Sequence, residues 1–88
     1  MSIEVRKPKE GEIETLGAKA WPIWTCGVST FDWSYDDRET CLILEGEVTV
    51  THKNGSASFG PGDLVIFPKG LDCTWKVTKP VKKHYRFG

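Results

Sequence analysis

The segment Gly62-Asp-Leu-Val-Ile-Phe-Pro68-Lys-Gly70-Leu-Asp-Cys73 carries the strongest structural signal in this chain. Its two glycines permit backbone turns that a Cβ would obstruct, and Pro68 fixes φ where a strand ends. Between them Leu64-Val-Ile-Phe67 is apolar throughout, the pattern of a strand covered on both faces. Beyond Gly70, Cys73-Thr-Trp75-Lys-Val77 alternates apolar and polar residues, which turns Cys73 and Trp75 toward an interior.

Upstream, Trp33-Ser-Tyr35-Asp-Asp-Arg-Glu39 is followed by six residues and then Gly46. Alternation sets Trp33 and Tyr35 on one face, opposite Asp32, Ser34 and Asp36. It likewise sets Glu39, Cys41 and Ile43 on one side and Leu42 and Leu44 on the other. The inward set therefore holds a carboxylate, two thiols and several large aromatics, an unusual mixture for a purely structural core. Turn signals recur at Cys26-Gly27, Tyr35-Asp-Asp, Glu45-Gly46, Lys53-Asn54-Gly55, Gly60-Pro61-Gly62 and Pro68-Lys-Gly70. Asn54-Gly55 is the strongest, because both residues tolerate the positive φ of a tight hairpin. Frequent turns, with one short helical stretch from Glu12 to Ala20, predict an all-β fold in a single domain over residues 1–88.

The two spaced motifs, at residues 31–46 and 62–77, resemble the signature motifs of the cupins. These are small antiparallel β-barrels of jelly-roll (double-stranded β-helix) build that usually hold a metal. The resemblance covers residues 20–80 and implies about eight to ten short strands. Trp33 and Tyr35 stand where the family's first two histidines belong, Glu39 keeps the carboxylate, and Cys73 replaces the third histidine. A closer resemblance is to a subgroup of single-domain cupins of unassigned function. It is carried by Trp21-Pro-Ile-Trp24, Glu39-Thr-Cys41, Leu44-Glu-Gly46, Phe67-Pro-Lys-Gly70, Cys73-x-Trp75 and Lys83-His-Tyr85. That subgroup is related to the cupin domains of (S)-ureidoglycine aminohydrolase, a two-domain manganese enzyme. The enzyme's histidine ligands are missing here, so its activity does not carry over.

Lysine plus arginine equal aspartate plus glutamate at 12 each, which argues against a nucleic-acid partner. Lys76, Lys79, Lys82 and Lys83 read as a solvated sheet face or a guarded edge strand. The N-terminus has no apolar signal region, and no apolar run approaches the roughly 20 residues of a membrane span. Cys26, Cys41 and Cys73 form neither an even disulfide framework nor a C-x-x-C pair, so a cytoplasmic location with free thiols is expected. A domain this small buries a modest core. The Trp21-Pro-Ile-Trp24 strand is therefore expected to bury itself in a homodimer, with Pro22 limiting continuous strand pairing.

Three readings of function follow. The leading one is a small-molecule-binding barrel whose ligand meets Trp33, Tyr35, Cys41 and Trp75, with no cofactor expected. The second is an enzyme in which Glu39 acts as acid or base with Tyr35 or Cys73, with a weak divalent metal possible; Glu39 and Cys73 would be its ligands. The third is a dimerisation or interaction module. His52 and His84 occupy no motif position. Arg38 points away from Glu39, and the inward set contains no cation. Removing the Glu39 charge is accordingly expected to leave stability unchanged or raise it.

Overall fold

A computed structural model describes residues 2–88 and shows a mostly-β cupin-type domain with an antiparallel sheet. The strands are β1 (Glu4–Arg6), β2 (Ile23–Cys26), β3 (Ser29–Ser34), β4 (Glu39–His52), β5 (Gly55–Phe59), β6 (Leu64–Phe67) and β7 (Asp72–Phe87). A short helix, α1 (Glu12–Leu16), and a 3-10 turn over Ala18–Ala20 precede β2. The sheet runs β1-β6-β4-β7-β2, with β3 also paired to β7 and β5 to β4.

Seven strands among the described residues are fewer than the eight to ten expected, because β4 and β7 each do the work of two. The 14 residues of β4 pair with β6 through Glu39–Leu42 and with β5 through Val48–His52. The 16 residues of β7 pair with β3 in their first half and β2 in their second. The bend lies where the β4–β7 register slips between Ile43 and Val48. Gly46 sits in that bend at φ 100°, and a Cβ there would fall against the Pro80 carbonyl and within 2.6 Å of Val81 Cα.

One local expectation needs correction, and one strand lies outside the predicted elements. The hairpin between β4 and β5 turns on Lys53-Asn54, one residue earlier than expected; Asn54 takes no positive φ, and Gly55 carries φ 149° as the first residue of β5. The polar N-terminal segment also forms a strand, β1, which pairs with β6 from Glu4↔Ile66 to Arg6↔Leu64. Backbone pairing and the packing of Ile3 and Val5 on the main core hold it there, with ion pairs at its end. Arg6 Nη1 and Nη2 each donate to a Glu12 carboxylate oxygen at 2.6 Å, and Lys7 Nζ lies 2.8 Å from Asp63 Oδ1.

The period-2 pattern divides the side chains as anticipated. Cys41, Ile43, Val48, Val50, Val65, Phe67, Trp75, Val77 and Val81 meet in the main core. Leu42 and Leu64 face the other way and are covered by Ala18, Ile13 and Leu16 from α1 and the 3-10 turn. Burying each such aliphatic side chain contributes about 1.5–3 kcal/mol relative to exposure. No helix among the described residues is long and apolar enough to cross a membrane.

Candidate functional site

A cavity of about 290 Å³ opens at the end of the fold where β2, β3 and both halves of β7 meet the start of β4. Strand register explains its walls. Phe31 is paired with Trp75 and Trp24 with Lys83, so aromatic rings from three strands face the same space. Phe31 stacks on Trp75 at 6.0 Å between centroids, and Trp24 meets both edge-on at 6.3 and 5.9 Å. Tyr35 is buried and stacks on Phe67 at 4.8 Å, whereas Trp33 and Phe87, 49% and 46% exposed, form part of the rim.

Two charged residues complete the wall, Glu39 and Lys83. Lys83 Nζ donates to Glu39 Oε2 at 3.0 Å, and the two side chains are only 5% and 4% exposed. The same ammonium lies 4.9 Å from the Trp24 ring centroid and 4.7 Å from that of Trp75. Burying an ion costs several kcal/mol, and each desolvated aromatic face returns about 2 kcal/mol. The carboxylate and two indoles together thus make a buried lysine tenable. Glu39 Oε1, also buried, has no hydrogen-bond partner among the described residues. Trp75 Nε1 likewise has none.

Lys83 corrects the expectation of a solvated lysine and of an inward set without a cation. Lys76 and Lys79 are exposed and Lys82 is half-buried, but Lys83 points inward. The signal was present in the strand pattern. The odd positions Val81, Lys83 and Tyr85 continue the inward face of Cys73, Trp75 and Val77 beyond Pro80. Arg38, as expected, is exposed.

The family model of the EutQ-like cupin domain matches residues 13–85. The chain belongs to the EutQ-like cupin family. Among solved structures, it is 49% identical to a DUF861 family protein from Thermotoga maritima, covering 99% of this chain and 100% of that one with a TM-score of 0.95. It is 22% identical to the EutQ protein of Clostridium difficile, over 74% of this chain and 52% of that one, TM-score 0.69. A DUF861 family protein of unknown function from Pseudomonas syringae pv. tomato is 26% identical over 75% of this chain and 29% of that one, TM-score 0.68. The cupin thus spans about half or less of the last two proteins' lengths. No curated protein matches it.

Of the site residues expected from the sequence, the cupin cavity gathers Glu39, Tyr35, Trp33 and Trp75. Cys73 is not in its wall. It lies at the start of β7 opposite Trp33, donates from Sγ to the Trp33 carbonyl at 3.5 Å, and lines an adjoining open hollow with Asp32, His52 and Asp72. Trp75, one strand period further on, takes the place at the cavity. Cys41 is also outside the wall, fully buried with Sγ donating to the Val65 carbonyl at 3.6 Å. His84 Nδ1 meets the Trp21 carbonyl at 2.9 Å and His52 Nδ1 accepts from the Asn54 N–H at 3.3 Å, both away from Glu39.

This donor set does not fit the metal that cupins usually hold. Among the described residues no three His, Cys, Asp or Glu side chains come together as a metal site. The carboxylate that would anchor an ion already faces a lysine ammonium. The thiols do not help, because they keep their protons. Burial pushes the Cys41 thiol up to about 12 against an opposing pull from Lys83, and burial followed by Asp72 and Glu39 pushes Cys73 up to about 11. Burial, and after it the Glu39 carboxylate, raise the Tyr35 hydroxyl far above its usual range, leaving it a neutral hydrogen-bond donor.

These shifts predict a loss of stability in base. A thiol whose folded value is raised stabilises the fold fully below its ordinary value of 9.0, and that contribution is lost as pH rises toward about 12. Urea melts at about pH 8 and about pH 11 should show the midpoint falling, with a smaller fall in Cys41→Ala. A midpoint unchanged or rising in base would contradict the protonated buried thiols.

Proposed function

We propose that this cupin binds a small organic molecule in the aromatic cavity, over the Glu39–Lys83 pair and without a resident metal. The observation that carries the reading is the Glu39 Oε1 atom, buried in a cavity wall and left without a partner among the described residues. Leaving a charged oxygen buried and unpaired is costly. An apolar pocket with a few convergent polar groups is the usual form of a small-molecule site. The relation to ureidoglycine aminohydrolase domains remains a resemblance of motifs, and no manganese chemistry is proposed from it. The enzyme reading is less well supported: Glu39 Oε2 is engaged by Lys83, while Tyr35 and Cys73 hold their protons. A cytoplasmic location suits three cysteines that are all free. A homodimer through β2 suits an edge strand with Ile23 50% exposed.

Elemental analysis of the purified protein should find well below one transition metal per chain. A metabolite panel read by thermal unfolding should then yield an organic ligand that raises the melting temperature without added metal. At a hundredfold excess over Kd the stabilisation should be about 2.7 kcal/mol. A stoichiometric metal, or stabilisation seen only with metal present, would overturn the proposal.

A further inference from the structure

We infer that the ligand of this cavity is an uncharged aromatic molecule carrying a hydrogen-bond donor, which Glu39 Oε1 receives. The inference rests on the small-molecule reading above and adds the chemistry of the ligand.

Charge is the first constraint. Glu39 and Lys83 are the charged members of the wall and neutralise one another at 3.0 Å. An anionic ligand would meet the Glu39 carboxylate, and Lys83 would give up its present partner to receive it. A cationic ligand would meet the Lys83 ammonium, which already lies over the rings of Trp24 and Trp75 at 4.9 and 4.7 Å. The aromatic faces that would hold a foreign cation are therefore occupied by an internal one. An uncharged ligand disturbs neither arrangement.

Hydrogen bonding is the second. Glu39 Oε1 accepts and lacks a donor among the described residues, so the group it lacks is an N–H or O–H. A sugar brings many hydroxyls into a wall that is otherwise mainly aromatic, and each buried hydroxyl without a partner weakens binding. A ring bearing one hydroxyl fits better. That group donates to Glu39 Oε1 and keeps an oxygen able to accept from Trp75 Nε1, the other buried polar atom of the wall without a partner among the described residues. The shape agrees: the half-exposed Trp33 and Phe87 at the rim and the stacked Phe31–Trp75 pair inside offer flat surfaces to a planar ring.

The test is a matched series on the wild-type protein: phenol, anisole, benzoate and benzylamine. They share a ring and differ in donor and charge. The indole N–H resonances of the four tryptophans report where each binds, since Trp24, Trp33 and Trp75 line the cavity and Trp21 does not. Phenol is expected to shift those three signals and spare Trp21, and to bind about tenfold more tightly than anisole, which has no donor. Benzoate and benzylammonium are expected to bind more weakly than phenol. Anisole binding as tightly as phenol would overturn the donor assignment, and tighter benzoate or benzylammonium binding would overturn the uncharged class. Either result leaves the cavity a small-molecule site. Silence of the three cavity indoles with all four compounds also overturns the inference, and the metabolite panel then decides the broader reading by itself.

Discussion

Glu39→Leu will destabilise the domain by about 3–5 kcal/mol, and Lys83→Met by a similar amount. Each change strands one charge in a site where both side chains are at most 5% exposed. The double variant, Glu39→Leu with Lys83→Met, will recover most of the combined loss, because two apolar side chains can fill the space without any buried charge. The sign is opposite to the one expected from the sequence, where Glu39 had no cation in reach. The ammonium 3.0 Å away reverses it. Urea melts of the four proteins check this, with m-values compared to confirm that the unfolding reaction is unchanged. Single losses below about 1 kcal/mol, or a double loss equal to the sum of the singles, would show that the pair is not coupled.

Gly46→Ala will cost about 3 kcal/mol or more. A Cβ at φ 100° is strained by itself, by about 1–2 kcal/mol. The new atom also meets backbone, the Pro80 carbonyl and the Val81 Cα at 2.6 Å, which cannot move aside as a flexible side chain would. The affected stretch is where β4 bends and slips register against β7, so the strain falls on the two strands that carry Glu39 and Lys83. Gly60→Ala is the control: its Cβ would come no closer than 3.4 Å to the Gly46 carbonyl, and its φ is not positive. It should lose less than about 1 kcal/mol. Equal losses in the two variants would remove the special role of Gly46.

The fold was legible because it depends on short-range signals. The apolar run Leu64–Phe67 became β6, buried between β1 and β4, and the alternation after Glu39 divided Cys41 and Ile43 from Leu42 as read. Strand number was harder, since a bend within one hydrogen-bonded strand and a turn between two strands look alike in sequence. Glu45-Gly46 is such a bend. The Glu4–Arg6 strand has no legible pattern because three residues with one apolar side chain show no period. Its support is non-local: pairing with β6, Ile3 and Val5 on the core, and the Arg6–Glu12 and Lys7–Asp63 pairs.

The site was half legible. Glu39, Tyr35, Trp33 and Trp75 share the cavity. Motif spacing alone could not show that Trp75 would occupy the wall and leave Cys73 in the next hollow. Lys83 was misplaced because surface exposure is the ordinary state of a lysine. Its inward position follows from carrying the alternation of β7 past Pro80.

The central claim is that a lysine ammonium, and no metal, is the partner of the cupin carboxylate. A crystal of the protein soaked in zinc or manganese, with data collected at the absorption edge of the metal, tests it most directly. The expected result is Lys83 Nζ about 3 Å from Glu39 Oε2 with no anomalous peak in the cavity. A metal peak bonded to Glu39 with Lys83 turned away would contradict it.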